Sequence, residues 1–298
     1  MDLSKLELQC GTDTLEVVAN VALDKEQHGI SNMGTRQECK QHGKQWRYKV
    51  TIDKILDVGS GYNLAEVMAV IDDVKRLFVE AGATELFISR FDIRFDNFAP
   101  KAYSRYYKLN QLLLSLVAYD LKIPNRYGST DFITGELKSA CIGKKKNSDI
   151  QGEYYNKALQ KFELGISGRL ELRSIQRNID LLQPYNGFAE ALAAEWFDTF
   201  NHAAKKSVFT ALKADINKHF VAEYDPEMWV RTTEYLAYRC MSIYDGQQAS
   251  ALYAALGYDK RNGGDFFAKR AHQQIVTLCD IKAYIAILRQ SALKFFTE

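Results

Sequence analysis

The chain has 298 residues, of which 47% are hydrophobic and 26% charged, as is typical of a folded soluble protein rather than a disordered one. The formal net charge of +2 excludes a uniformly polycationic surface, and the five cysteines include no CxxC pair, which argues against a disulfide framework and a structural zinc site. No run of 18 apolar residues and no signal-peptide pattern occurs, so we expect a cytoplasmic protein that does not span a membrane.

The first 180 residues have the pattern of an α+β domain. Period-two alternation with β-branched and aromatic residues predicts strands, and Asn63 and Gly82 bracket an apolar-periodic helix. The predicted strands are 14–21, 46–52, 86–95, 137–142, 150–157 and 169–174, and the predicted helices are 64–78 and 103–121. This order predicts an antiparallel-rich sheet with helices packed on one face, over residues 1–180.

Residues 181–298 have the pattern of an all-α region, predicted as a helical DNA-binding or accessory domain. Its amphipathic runs are 188–203, 209–221, 228–241, 247–256, 265–279 and 282–293. Residues 247–278 have the outline of a helix-turn-helix, with Lys269 and Arg270 facing DNA. A plain helical hairpin explains the same pattern, because the connecting loop is longer than usual.

Basic residues are concentrated in the middle of the chain. Residues 101–180 carry 14 basic and 8 acidic groups, whereas residues 1–100 carry 12 and 16, and residues 181–298 carry 13 and 13. An anionic partner is therefore expected at the middle segment. The run Lys144, Lys145, Lys146 lies there; such runs usually face solvent, but this one directly precedes the Tyr154–Tyr155 pair.

Two predicted strands carry charge on one face. Because strand side chains alternate, 87–96 presents an apolar face of Phe87, Ser89, Phe91, Ile93 and Phe95 and a charged face of Arg90, Asp92, Arg94 and Asp96. Residues 169–173 repeat the design with Arg169, Glu171 and Arg173. A solvated sheet face with cross-strand ion pairs would explain both segments. If the strands are neighbours, however, Asp92 and Glu171 converge, and paired carboxylates suit a divalent cation such as Mg²⁺ or Mn²⁺ while the arginines suit phosphate.

A tyrosine stands between these strands in the sequence. In an extended segment Glu153, Tyr155 and Lys157 share a face, and Tyr154 points inward. Tyr155 is then a candidate nucleophile, although sheet packing is the simpler explanation of two adjacent tyrosines. Tyr103 and Tyr107, at helical i, i+4 spacing, form a competing pair for which helix packing or DNA stacking is the more natural role.

The motifs Phe91-Asp92-Ile93-Arg94-Phe95-Asp96, Tyr155-Asn156-Lys157 and Arg169-Leu170-Glu171-Leu172-Arg173, in this order, resemble those of the replication initiators of Gram-positive rolling-circle plasmids (the Rep_trans-type family). Related modules occur in conjugative relaxases and phage replication factors. Cys141-Ile142-Gly143 also resembles the short strand that precedes the family's tyrosine. In the family an acidic residue usually follows soon after the lysine. This chain departs from that pattern, because it has Leu159-Gln160 at this place.

The resemblance implies a role for each matched residue. Tyr155 would attack a DNA phosphate to form a 5′-phosphotyrosine link, and Lys157 would stabilise charge on the scissile phosphate. Asp92 and Glu171 would hold the divalent metal. Arg94, Arg169 and Arg173 would contact phosphate or pair with the ligand carboxylates, and Asp96 would be an extra ligand or the partner of Arg94.

The sequence therefore predicts an enzyme that nicks and religates an origin strand in rolling-circle replication. The expected partners are an origin with a single-stranded or extruded nick site, a host helicase, since no helicase motif occurs in the chain, and a second copy in a homodimer. A conjugative relaxase, a non-catalytic DNA-binding protein on the same scaffold, and an α+β protein unrelated to nucleic acid are the alternatives.

Overall fold

The computed structural model describes a mixed α+β chain over residues 3–4, 6–23, 33–36, 45–56, 61–99, 102–123, 125–127, 139–143, 149–157, 165–212, 214 and 276–297. Eight strands form one sheet in which every paired neighbour is antiparallel, in the order β2-β3-β1-β4-β8-β7-β6-β5. The strands are β1 Gln9–Ala19, β2 Met33–Arg36, β3 Trp46–Thr51, β4 Leu86–Asn97, β5 Asn125–Tyr127, β6 Ser139–Ile142, β7 Ile150–Tyr155 and β8 Gly168–Asp180.

The helices with both ends among the described residues are α1 Ile52–Ile55, α2 Leu64–Glu80, α3 Ala102–Leu121, α4 Phe188–Ala203 and α5 Leu278–Thr297. The predicted cap of α2 is confirmed: the Asn63 side chain accepts a hydrogen bond from the Glu66 amide, and the Glu66 side chain accepts one from the Asn63 amide. The helix stops before Gly82, whose φ of +83° is a left-handed conformation that favours glycine.

The four longer helices pack on the apolar face of the sheet, where the sequence predicted α2 and α3 but not α4 and α5. Phe91 and Phe95 of β4 meet Phe188 and Phe197 of α4, with ring centroids 5.1 and 6.5 Å apart. Aromatic edge-to-face contacts of this kind hold a helix at a defined position on a sheet. The other face carries the charged side chains and is called the polar face below.

Because of a bulge, the first part of the apolar face of β4 differs from the predicted one. The pairing of β4 with β8 shifts register between Ile88 and Arg90, so Leu86 and Ile88, not Phe87 and Ser89, are buried in the core. One extra residue at a bulge reverses the alternation on its far side. From Phe91 onward the predicted faces are as expected.

Helices α4 and α5 belong to the predicted C-terminal domain, yet both contribute to the core that the sheet builds. The predicted helix 188–203 is confirmed, whereas the predicted break between 279 and 282 is wrong because α5 runs continuously through it. Thr277 and Asp280 cap α5: Thr277 Oγ1 accepts from the Asp280 amide at 3.2 Å, and Asp280 accepts from the Thr277 amide at 2.8 Å.

The division of the chain into two domains at residue 180 stays a prediction. Most of the candidate helix-turn-helix, including Lys269 and Arg270, lies outside the described residues.

Within the described part of the chain, none of the helices combines the length and the apolar character needed to cross a bilayer.

A buried hydrogen bond links α5 to α3 and gives a stability prediction. Tyr284 donates to Asn110 Oδ1 at 2.8 Å, and both side chains are buried. We expect Tyr284→Phe to lower the free energy of unfolding by about 1–3 kcal/mol, because it leaves a buried acceptor without its donor. Urea unfolding measures this, and Tyr284→Phe combined with Asn110→Leu should cost less than the two single changes added together. Additive costs would show that the bond does not couple the helices.

Candidate active site

The central strand pair places opposite charges across from each other on the polar face. In the register of β4 with β8, Asp92 pairs with Arg173, Arg94 with Glu171, and Asp96 with Arg169. Directly opposed charges of unlike sign stabilise an antiparallel pair. The register also brings Asp92 and Glu171 diagonally together, which is the convergence that the sequence predicted for neighbouring strands.

A second bulge brings a third carboxylate, Asp13, to the same place. Between the pairs Thr12–Ile93 and Leu15–Phe91, β1 has two residues, Asp13 and Thr14, opposite the single residue Asp92 of β4. Bulges re-aim side chains in this way. One oxygen each of Asp13, Asp92 and Glu171 lie within 4.8 Å of one another. These three residues are called the carboxylate triad.

Next to the triad lies a buried ion-pair network of Arg94, Arg169, Asp53 and Asp96. Arg169 Nε and Nη2 donate to the two oxygens of Asp96 at 2.6 and 2.9 Å, and Nη1 donates to Asp53 and Asp13 at 2.7 and 2.6 Å. Arg94 donates to Asp53 at 2.8 Å and also pairs with Asp96. Bidentate geometry of this kind fixes both partners.

The network corrects the predicted contact of Arg94 and Arg169 with DNA phosphate. Both side chains are 0% exposed, and their donors are directed at Asp53 and Asp96, at Asp13 for Arg169, and at the Tyr62 hydroxyl for Arg94. The second implied role was pairing with the ligand carboxylates Asp92 and Glu171. The hydrogen-bonded partners are instead Asp53 and Asp96, with Asp13 as a further partner of Arg169. Asp96 is likewise the partner of both arginines.

Gly11 makes room for this network. A Cβ at residue 11 would lie 2.8 Å from Arg94 Nη2 and 2.9 Å from its Cζ, so the Arg94 guanidinium packs flat on the β1 backbone.

Tyr155 lies on the polar face and Tyr154 on the helix face, as predicted. The Tyr155 hydroxyl donates to Glu171 Oε1, and Lys157 Nζ donates to the Tyr155 oxygen at 3.3 Å. Tyr154 is buried in the core, with its ring 6.4 Å from that of Tyr107. Tyr107, from the competing tyrosine pair, thus contacts the sheet on the side away from the triad.

Burial shifts the pKa values of the Tyr155 phenol and the Lys157 amine. It raises the pKa of Tyr155 well above its usual range, and the charge of Glu171 raises it further, while Arg169 acts in the opposite direction. Burial and the charge of Arg169 lower the pKa of Lys157. Tyr155 is therefore a protonated donor to Glu171 in this state.

The carboxyls respond differently to the same environment. Burial would raise the pKa of Asp13, but the Asp53 hydrogen bond and the Arg169 charge lower it well below its usual range. Burial raises the pKa of Asp53, against the opposing charges of Arg94 and Arg169. Burial also raises the pKa of Asp92 to about 6, although Arg90 and Arg173 act to lower it.

Arg90 and Arg173 form the outer part of the site. Arg90 donates to both oxygens of Asp92 and, at 3.2 Å, to Glu16. Arg173 donates to Glu171 Oε2 at 2.5 Å and to Glu153 at 3.0 Å. Lys144, Lys145 and Lys146 lie outside the described residues.

Sequence reasoning missed Asp13, Asp53 and the contact of Arg90 with the triad. Asp13 precedes the predicted start of its strand and reaches the site through a bulge, which strict alternation cannot anticipate. Asp53 lies in α1, beyond the end of β3. The one local signal was Gly11, a glycine two residues before an acid, which is typical of a close approach to the backbone.

Three carboxylates converge on one point, and a tyrosine and a lysine stand at its edge. Hard oxygen donors in this number suit Mg²⁺ or Mn²⁺ rather than a softer metal. The arrangement offers a cation site next to a potential oxygen nucleophile.

No family model matches the chain, and no curated protein matches it. Among solved structures, a rolling-circle replication initiator protein from Geobacillus stearothermophilus is similar at 15% identity and a TM-score of 0.33, covering 63% of this chain and 80% of that one. The strand pairing and the side-chain contacts described above are observed in this chain itself and do not depend on that similarity.

The triad predicts Mn²⁺ binding that can be measured as thermal stabilisation. Excess Mn²⁺ should raise the unfolding temperature of the wild type, since a ligand at a hundred times its Kd adds about 2.7 kcal/mol. Asp13→Asn should lose most of this shift because it removes one negative charge from the ligands of the cation. Asp120→Asn, which changes a carboxylate of α3 that contacts His202, is the matched control and should keep it. A full shift in Asp13→Asn would exclude Asp13 from the site.

The raised pKa of Asp92 predicts a pH dependence of the same binding. A carboxyl with a pKa of about 6 is protonated below that pH, and its proton competes with the metal. Mn²⁺ affinity measured by calorimetry should therefore weaken roughly tenfold between pH 7 and pH 5. Equal affinity at both values would contradict the assignment of Asp92 as a ligand.

Proposed function

We propose that this chain nicks and religates one DNA strand through a covalent 5′-phosphotyrosine intermediate on Tyr155, as an initiator of rolling-circle replication. The observation that carries the proposal is the contact of the Tyr155 hydroxyl with Glu171, a member of the carboxylate triad. A tyrosine used only for packing has no need of a buried triad at its hydroxyl. Tyr154, one residue away, shows the packing role in the core.

Tyr155, Glu171 and Lys157, together with solvent, supply the groups that the reaction needs. The Tyr155 oxygen attacks the scissile phosphorus, its proton passes to Glu171, and the bond from phosphorus to the 3′-oxygen breaks. Lys157, 3.3 Å from the Tyr155 oxygen, stabilises the charge that develops on the phosphoryl oxygens. The departing 3′-oxygen takes a proton from solvent and is free to prime synthesis. Religation is the reverse step.

The residues present fit a divalent metal. Three carboxylate oxygens from β1, β4 and β8 lie within 4.8 Å of one another, and oxygen is the donor that Mg²⁺ and Mn²⁺ prefer. When bound, such an ion supplies positive charge that polarises the scissile phosphate and offsets the charge of Glu171 beside the phenol. Asp13, Asp92 and Glu171 would hold it.

The substrate in this proposal is a single strand. Tyr155 lies on a sheet face, which reaches an unpaired strand more readily than a stacked duplex. Among the predicted phosphate contacts that the structure describes, Arg173 is the one at the surface, with 17% of its side chain exposed. Duplex recognition by the helical region, a host helicase and a homodimer on an inverted-repeat origin complete the proposal. A relaxase role requires the same chemistry.

A covalent-adduct assay tests the proposal. Incubation with Mn²⁺ and single-stranded oligonucleotides, tiled across the DNA that encodes the chain and its flanks, should give an SDS-resistant protein–DNA band. Tyr155→Phe should lower the yield at least about 10³-fold, because it removes the nucleophilic oxygen while keeping the ring. Chelation of the metal should have the same effect.

Tyr154→Phe is the matched control, since it makes the same change on the neighbouring residue in the core. It should leave the adduct intact. An adduct lost only in Tyr154→Phe would keep the reaction and move the nucleophile. No adduct on any oligonucleotide, together with metal-independent DNA binding, would favour the alternative of a non-catalytic DNA-binding protein.

A further inference from the structure

The oxygens of the carboxylate triad are already occupied by hydrogen bonds within the chain. Asp13 accepts from Arg169 at 2.6 Å and from Thr14 at 3.0 Å, one on each oxygen. Arg90 donates to both oxygens of Asp92. On Glu171, Oε1 accepts from Tyr155 and Oε2 from Arg173. A cation on the triad therefore competes with donors that are already in place.

These donors differ in how freely they can leave. Arg169 is fully buried and held by Asp53 and Asp96 as well as by Asp13. Arg90 and Arg173 are 19% and 17% exposed, so both reach the surface of the site. Of the described donors to the triad, these two are placed to exchange their partner.

Each outer arginine also has a second carboxylate outside the triad. Arg90 Nη1 lies 3.2 Å from Glu16, and Arg173 Nη2 lies 3.0 Å from Glu153. Both guanidiniums can thus turn from the triad toward the outside without losing every partner. A phosphodiester at the opening would offer them a further pair of oxygens in the planar geometry that arginine prefers.

We propose that Arg90 and Arg173 couple metal binding to DNA binding: they neutralise the triad when DNA is absent and transfer to backbone phosphates when DNA binds, which frees the triad oxygens for the cation. The inference rests on the proposed function and adds a regulation to it. The metal then binds weakly to the free protein and more tightly to the DNA complex. By linkage the metal tightens DNA binding by the same factor.

The test measures binding alone, in a Tyr155→Phe background that cannot cleave. Mn²⁺ is titrated by calorimetry without DNA and with a saturating amount of whichever tiled oligonucleotide binds best by fluorescence anisotropy. We expect the Mn²⁺ Kd to fall about tenfold when the oligonucleotide is bound, within the range usual for coupled sites. Anisotropy with and without Mn²⁺ should give the same factor for the oligonucleotide.

Arg173→Gln separates this coupling from a structural role. Without DNA, the variant should bind Mn²⁺ roughly fivefold more tightly than its parent, because a competing positive charge has been removed from Glu171. It should bind the oligonucleotide more weakly, and the coupling factor should approach one. A residue that only supported the fold would weaken both ligands together. Arg173→Lys, which keeps the charge without the fork, should retain part of the coupling.

Arg177→Gln is the matched control, because Arg177 lies on the same strand but pairs with Glu195 of α4. It should keep the parent's values. If Arg173→Gln does not fold, Arg90→Gln makes the equivalent test at Asp92.

The outcomes distinguish a failure of the coupling from a failure of the proposed function. Mn²⁺ and oligonucleotide binding that are both present but independent would overturn the coupling and leave the proposed function standing. Absence of Mn²⁺ binding with and without DNA, or of binding to every oligonucleotide, would overturn the proposed function itself.

Discussion

The requirement that a buried charge be paired organises the polar face of this protein. Isolated carboxylates taken out of water are unfavourable by several kcal/mol, so each must find a cation or share a proton. The antiparallel register of β4 with β8 meets this requirement by setting Asp and Arg, or Arg and Glu, across from each other at three successive positions. The buried triad can exist because Arg169, Arg90 and Arg173 neutralise it.

Local periodicity accounts for what the sequence could predict. Alternation along 91–96 and 169–173 is a property of neighbouring residues, so it correctly placed the core and the charges on opposite faces. The faces of Tyr154 and Tyr155 follow from the same rule. Capping by Asn63 is local as well, since both of its capping hydrogen bonds are made with Glu66, three residues further along.

The features that escaped prediction depend on pairing between distant segments. The bulge that delivers Asp13 exists only when β1 is aligned against β4, some 80 residues further along the chain. Asp53 reaches the same network from the end of β3, and burial of Arg94 depends on the absence of a side chain at Gly11. No window of neighbouring residues contains these relations. Alternation along the strands therefore could not show that Arg94 and Arg169, which looked available for phosphate, are internal.

The last described helix closes the fold onto its first strand. Ser291 of α5 donates to the carbonyl oxygen of Leu8 at 2.7 Å, and the ring of Phe295 packs against that of Tyr62. These contacts join residues more than 230 positions apart, so they form only after α5 has left the ribosome. Until then the core beside β1 lacks the cover that α5 provides. Exposed apolar surface of this kind is what chaperones bind and what aggregates when synthesis stalls, so folding around β1 depends on a helix that is synthesised more than 250 residues later.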